Sequence, residues 1–179
     1  MQDFSQLGRR EAIRLLFEGT PFVPFSEGAF EAKAGEKVVP VSRVLLEGID
    51  FDLVYFPLKH LGYKSVALAV GELYASLASP RSLSVVLGVS AKLDFERIKE
   101  LWGGIVAAAS EFGFGSVGLD LQPSRNGLTI SVSAVGCAPA EERPEPASKD
   151  LVCVSGALGA AYLGLQVLER GKARFDDAE

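Results

Sequence analysis

Histidine and cysteine are almost missing from this chain: it has one histidine, His60, and two cysteines, Cys137 and Cys153. That scarcity leaves no Cys-x-x-Cys pair and no His/Cys set at metal-ligand spacing, and it rules out a small disulfide scaffold. Each cysteine is expected to fill a small apolar space in a strand. Positive charge is also in short supply: 18 Lys and Arg against 23 Asp and Glu give a net charge of -5, without the basic surplus that marks a nucleic-acid partner. A nucleotide is not excluded, because a phosphate site needs only local donors or a metal ion. No apolar run approaches the roughly 20 residues of a membrane span. The N-terminal Met1-Gln2-Asp3-Phe4-Ser5 lacks the basic segment and apolar run of a secretory signal, so a cytoplasmic location is the expectation. Glycine-rich Walker loops, nucleophile elbows, internal repeats and low-complexity tracts are missing too.

What is present is core material. Hydrophobic residues make up 48% of 179, enough for one domain of ordinary size, or one domain with a fragment of another. Ile13, Leu16 and Phe17, spaced at helical intervals among Arg10, Glu11 and Arg14, predict a short amphipathic helix ended by Gly19-Thr20-Pro21. Lys37 to Leu46 reads as a strand entered through a turn at Gly35-Glu36, and Pro40 places it at a sheet edge or a bulge, since proline cannot donate to the ladder. A helix is expected from Leu58 or Leu61 to Ala78, with Gly71 inside it marking either a close approach or a packing contact. Ser82 to Val89 reads as a strand. Asp94 is a suitable N-cap for a helix in which Phe95, Ile98, Leu101, Trp102, Ile105, Ala109 and Phe112 form one apolar face. Ser116 to Leu121 and Leu128 to Cys137 read as a strand pair joined by a turn at Asn126-Gly127. The three strands 37–46, 82–89 and 128–137 are apolar enough to be expected buried on both faces. Residues 138–149 read as a linker, followed by a strand at Leu151 to Ser155 and a helix at Leu158 to Arg170. This order predicts an α+β fold with helices on one face of a mixed or largely antiparallel sheet.

One stretch stands apart. Glu47-Gly48-Ile49-Asp50-Phe51-Asp52-Leu53-Val54-Tyr55-Phe56-Pro57-Leu58-Lys59-His60-Leu61-Gly62-Tyr63-Lys64 is a polar and aromatic loop between two apolar elements, a usual place for binding residues. It resembles the loop "L-L-E-G-V-H-F-D-x-x-Y-x-P-x-x-L-G-Y-K" of the thiamine-monophosphate kinases of the AIR-synthase superfamily. A second stretch, Asp150-Leu151-Val152-Cys153-Val154-Ser155-Gly156-Ala157-Leu158-Gly159-Ala160-Ala161, is similar to the opening of that family's second domain. The resemblance runs from about Leu7 to about Phe175. It implies an AIR-synthase-type N-terminal domain at 1–137, a linker at 138–149 and the strand and helix that start a second domain at 150–179. It also implies a homodimer whose sheets close into a β-barrel, with ATP, magnesium and a thiamine phosphate as ligands.

The chemistry so implied is phosphoryl transfer, in which aspartates hold magnesium ions on the nucleotide phosphates. Carried over position by position, the family's G-D-D-A-A-V is Phe25-Ser26-Glu27-Gly28-Ala29-Phe30 here and its T-T-D is Val41-Ser42-Arg43. Its S-D is Gly71-Glu72, its G-G-D-T is Gly118-Leu119-Asp120-Leu121, and the loop histidine is Asp50. The implied nucleotide and substrate contacts are thus Ser42, Arg43, Glu47, Gly48, Asp50, Phe51 and Asp120, and the implied metal ligands Glu27, Glu72 and Asp120. The acidic set is thinner than the family's and has a cation in it. A guanidinium close to magnesium is unfavourable by roughly several kcal/mol at an effective dielectric near 20. Arg43 either contacts a phosphate through its fork or pairs with Asp120 or Glu72, and the pairing is the expectation adopted. His60 is expected in a packing or capping role, Lys59 and Lys64 in solvent. Three functions follow: a thiamine-monophosphate kinase of weakened or lost activity, a non-catalytic binding or dimerisation module of that descent, or another ATP-dependent enzyme of the superfamily.

Overall fold

The structure is a computed structural model that describes residues 7–24, 30, 32–140, 145–156 and 158–176. The chain divides into two units, 1–141 and 142–179. The first contains α1 (Arg9–Phe17), β1 (Lys37–Leu46), α2 (Leu58–Ala75), β2 (Ser79–Ser90), α3 (Phe95–Glu111), β3 (Ser116–Ser124) and β4 (Thr129–Ala138). The second contains α4 (Ala160–Asp176). The fold is α+β, with one mixed four-stranded sheet in the order β1-β4-β2-β3.

Proline sits where the ladder tolerates it. Pro40 lies on β1, an edge strand. β2 begins at Ser79, earlier than expected, and takes Pro80 into a central strand. The register shifts between Pro80 and Ser82, a bulge at the strand's start that accommodates a residue without an N–H. β3 and β4 are not the adjacent pair that Asn126-Gly127 suggests. β2 runs between them, parallel to β3 and antiparallel to β4. The connection must cross β2, about 9.5 Å at two strand spacings, which residues 125–128 span at a reach of roughly 13 Å. An Asn-Gly dipeptide signals a turn but does not name the strand's partner.

The strands expected to be buried on both faces are buried on one. On β2, Leu83, Val85 and Leu87 point inward at 0–1% exposure and alternate with the exposed Ser84 and Val86. On β4, Ile130, Val132 and Ala134 point inward to the same core. α2 lies against β1, β4 and β2; α3 packs along α2; α1 packs against β3 and α3. The opposite sheet face carries rows read directly from the register: Val44, Ser131, Val86 and Asp120 in one, Ser42, Ser133, Ser84 and Gly118 in the next.

Two glycines set the α2–α3 distance. A Cβ on Gly62 would lie 2.1 Å from the Leu101 carbonyl oxygen, and one on Gly104 would lie 1.9 Å from that of Lys59. Gly71 is not such a contact: it is exposed, and a Cβ there would meet nothing within 4 Å. Asp94 caps α3 as its sequence position suggests, its Oδ1 accepting from the Arg97 N–H at 2.9 Å. Phe17 meets Trp102 at 5.0 Å between centroids and so ties α1 to α3.

Leu77, in the turn from α2 to β2, has φ +55° with its side chain 60% exposed. A β-carbon in the left-handed region costs about 1–2 kcal/mol, less for asparagine. Leu77→Asn is therefore expected to raise stability by up to about 1 kcal/mol in urea unfolding, with no change in fold.

In the second unit, residues 151–155 form no strand. Leu151 and Val152 are 88% and 96% exposed, and a five-residue segment that pairs with no strand leaves its backbone groups to water. The helix begins at Ala160, after Gly159 with φ +88°. No helix among the described residues is long and apolar enough to cross a membrane.

Candidate functional site

β1, β2 and β3 run in one direction, because β4 is antiparallel to both β1 and β2 while β3 is parallel to β2. Their carboxyl ends therefore lie at one end of the sheet. Three connections converge there: the loop 47–57 after β1, residues 91–94 after β2 and residues 125–128 after β3. Between them lies a cleft of about 590 Å³, lined by Glu47, Gly48 and Asp52 from the first, by Ser90, Ala91 and Lys92 from the second, and by Ser124, Arg125, Asn126 and Gly127 from the third.

The first loop is held by its own backbone. The Gly48 N–H donates to Phe51 O at 2.8 Å, and the Ile49 and Asp50 N–H groups donate to Leu46 O. Gly48 has φ +82°, which the tight turn requires. Asp50 closes the turn by accepting from the Leu46 N–H at 2.8 Å. Phe51 is buried at 5% and anchors the loop in the core. Lys64, partly exposed as a solvated lysine would be, donates to Asp50 O at 3.2 Å and stands 5.0 Å over the Phe56 ring, so it also braces the loop.

Glu47 joins the first loop to the third. Its backbone N–H donates to Leu128 O at 3.1 Å, and its Oε2 accepts from the Leu128 N–H at 2.6 Å. Gly127, φ +94°, leaves room for that carboxylate, since a Cβ there would lie 2.7 Å from Oε2. Asp52 accepts from the Val54 N–H at 2.9 Å. Both acids of the cleft thus take backbone donors. Its cations, Lys92 and Arg125, are exposed and make no ion pair with any described residue. The sequence reading missed both. Their signal was positional: each follows the last residue of a strand by one or two places.

The remaining sequence candidates are dispersed. Ser42 lies on the open sheet face, its hydroxyl 3.0 Å from that of Ser133. Arg43 pairs with Glu72 of α2, as one of the two expected pairings had it. Asp120 lies on β3 at the opposite edge of the sheet and pairs with Arg9 of α1, beside a second hollow of about 570 Å³ lined by Arg9, Arg10, Ile13, Leu119 and Asp120. Glu27 and Ser26 lie outside the described residues. His60 is exposed in the first turn of α2.

Asp120 also accepts from Gln122 Nε2 at 3.0 Å; that bond, with Arg9 beside it, holds its carboxyl below the ordinary value. A folded-state pKa below the unfolded one stabilises the fold above the ordinary carboxylate range, and this contribution disappears as pH falls through the lowered midpoint. Carboxyl NMR titration is expected to find Asp120 below the usual aspartate value, and Gln122→Ala is expected to raise it. An unchanged midpoint in that variant would refute the bond's role.

Residues 27–138 match the N-terminal domain family of AIR synthase related protein. The match covers more than half of the chain. The chain belongs to that family. Curated relatives of this AIR synthase-related chain include the thiamine-monophosphate kinases of Rhodopirellula baltica, 31% identical over 67% of this chain and 38% of that one, and of Bacillus subtilis, 25% identical over 78% and 44%. The chain is therefore thiamine-monophosphate kinase-like at modest identity, and it spans well under two thirds of the length of these relatives. Solved structures share the fold. Two of them are the thiamine monophosphate kinase of Aquifex aeolicus, with TM-score 0.54 and 23% identity over 60% of this chain and 36% of that chain, and E. coli HypE, a hydrogenase maturation protein, with TM-score 0.57 and 16% identity over 75% and 44%. AaThiL, with TM-score 0.54 and 21% identity over 76% of this chain and 44% of that one, is solved complexed with AMPPCP and TMP.

The described residues do not fit the magnesium site that the family resemblance implies. Ligand oxygens on one magnesium lie about 2.1 Å from it. Glu72 packs beside β1 and Asp120 belongs to β3, three strand spacings or roughly 14 Å apart across the sheet. Each is paired with an arginine, and no group of three His, Cys, Asp or Glu among the described residues is placed to hold a metal ion.

Proposed function

We propose that the chain binds a phosphorylated small molecule, thiamine monophosphate or a nucleotide, in the cleft at the carboxyl ends of β1, β2 and β3, as a thiamine-monophosphate kinase-like protein with weakened phosphoryl transfer. The observation that carries this reading is the convergence of Lys92 and Arg125 with the Glu47-Gly48 loop around one cleft. The relatives' names supply the ligand class, and the solved AaThiL complex with AMPPCP and TMP supports it. Weakened transfer follows from the arginine pairs at family acid positions, because a carboxylate already neutralised by a guanidinium is a poorer cation ligand. Calorimetric titration with thiamine monophosphate and with ATP tests the reading: binding of either supports it, and binding of neither defeats it. Within this proposal, 1–137 is the ligand-binding AIR-synthase-type domain, 138–149 a linker and 150–179 the start of a second domain.

A second reading, a dimerisation module, is favoured by the open sheet face. Val38, Val44, Leu46 and Val86 are exposed there at 37–55%, among serines and one threonine, with Asp120 at its edge as a charged residue. A face of small uncharged side chains suits contact with another sheet better than contact with water. The chain is expected to be a dimer at tens of micromolar by sedimentation, through a barrel closed between two such sheets. A monomer under those conditions would remove this reading and leave the ligand reading standing.

A further inference from the structure

The ligand reading leaves open what neutralises the phosphate. Charge on a bound phosphate is met either by a divalent cation held on carboxylates or by cationic side chains directly. The carboxylates nearest the cleft are committed, Glu47 to the Leu128 N–H and Asp52 to the Val54 N–H. The two described acids at the family's acidic positions are committed as well, Glu72 to Arg43 and Asp120 to Arg9, toward opposite edges of the sheet. The cleft's two cations have no such partner among the described residues. Arg125 and Lys92 come from different loops and line one cleft, so both are within it to meet a bound group. A guanidinium fork matches two phosphate oxygens, and an ammonium adds a point charge with three donors.

We propose that this cleft recognises phosphate directly through Lys92 and Arg125, with no divalent cation between ligand and protein. The inference rests on the ligand reading above. It makes the chain's phosphate recognition independent of magnesium, in a fold whose implied chemistry depends on it.

The test is calorimetry of the full chain with thiamine monophosphate, once in magnesium chloride and once in EDTA. A monophosphate is the probe because, unlike a triphosphate, it holds magnesium weakly by itself. The titrations are repeated with Lys92→Met and Arg125→Met, whose folding is checked by circular dichroism; both positions are exposed loop sites. The expected result is equal affinity in the two buffers, with a loss of about tenfold or more in each variant, as for removal of a hydrogen bond to a charged group. Binding that requires magnesium would overturn the inference and leave the ligand reading intact. Equal binding in both buffers that neither variant weakens would overturn it as well. Absence of binding in either buffer would overturn both.

Discussion

Gly104→Ala is expected to lower stability by about 3 kcal/mol or more, while Gly103→Ala, one residue away, is expected to be neutral or to raise it by up to about 1 kcal/mol. At Gly104 the added carbon would lie 1.9 Å from the carbonyl oxygen of Lys59, 2.8 Å from its carbon and 3.0 Å from the Tyr63 nitrogen. All three are backbone atoms of α2, so no rotamer change relieves the clash, and the helices must separate. Separation would loosen the packing around Leu61, Val66, Leu101 and Ile105, each buried at 0% exposure. Gly103 faces solvent with nothing within 4 Å, and alanine there only gains helix propensity. Urea unfolding of the two variants separates the cases, and similar midpoints would refute the close crossing. Gly62→Ala should behave like Gly104→Ala, since its carbon would meet Leu101 O at 2.1 Å.

Glu47→Ala is expected to cost about 1–3 kcal/mol, the range for a backbone N–H deprived of a charged acceptor, and to open the cleft from the side of the third loop. The 2.6 Å bond from the Leu128 N–H is the side-chain link from the loop after β1 to the connection after β3, and Gly127 is shaped around it. Glu47→Gln keeps an acceptor oxygen of the same reach and should recover much of the loss. Amide exchange at Leu128 reports the bond directly: protection should fall in the alanine variant and return in the glutamine one. Unchanged protection in Glu47→Ala would mean that the loops are joined by the backbone bond between Glu47 N–H and Leu128 O alone.

Much of the fold was legible because its signals are local. Asp94 caps α3, Pro40 marks an edge, and the apolar face of Phe95, Ile98, Leu101, Trp102 and Ile105 is the face that is buried. What was not legible depends on partners far along the chain. Asn126-Gly127 announces a turn, but only the competition among strands inserts β2 between β3 and β4. The glycine of close approach was sought at Gly71, whereas the contact falls at Gly62 and Gly104, because helix crossing is decided by which faces meet and not by glycine within a helix. Leu151 to Ser155 has strand composition and no strand beside it.

The site divides in the same way. Glu47 and Gly48, read from the loop's chemistry and its resemblance, do line the cleft. Phe51 and Asp50 belong to the same run but serve it internally, one in the core and one closing the turn. Aligned positions such as Arg43, Glu72 and Asp120 fall at two edges of the sheet, each in an ion pair. Pairs this exposed contribute only about 0–1 kcal/mol to stability, so Arg43 with Glu72 and Arg9 with Asp120 are no strong fastening. Lys92 and Arg125 stood in unremarkable loop sequence, and only the parallel course of β1, β2 and β3 brings them to one place.

Whether the ligand cleft is where the strands end is settled most directly by amide chemical-shift mapping of the chain titrated with thiamine monophosphate. The account predicts perturbations centred on residues 47–52, 90–92 and 124–127, with residues 43, 72 and 120 unaffected. Perturbations centred on Arg43 and Glu72 or on Asp120, or none at saturating thiamine monophosphate, would contradict it.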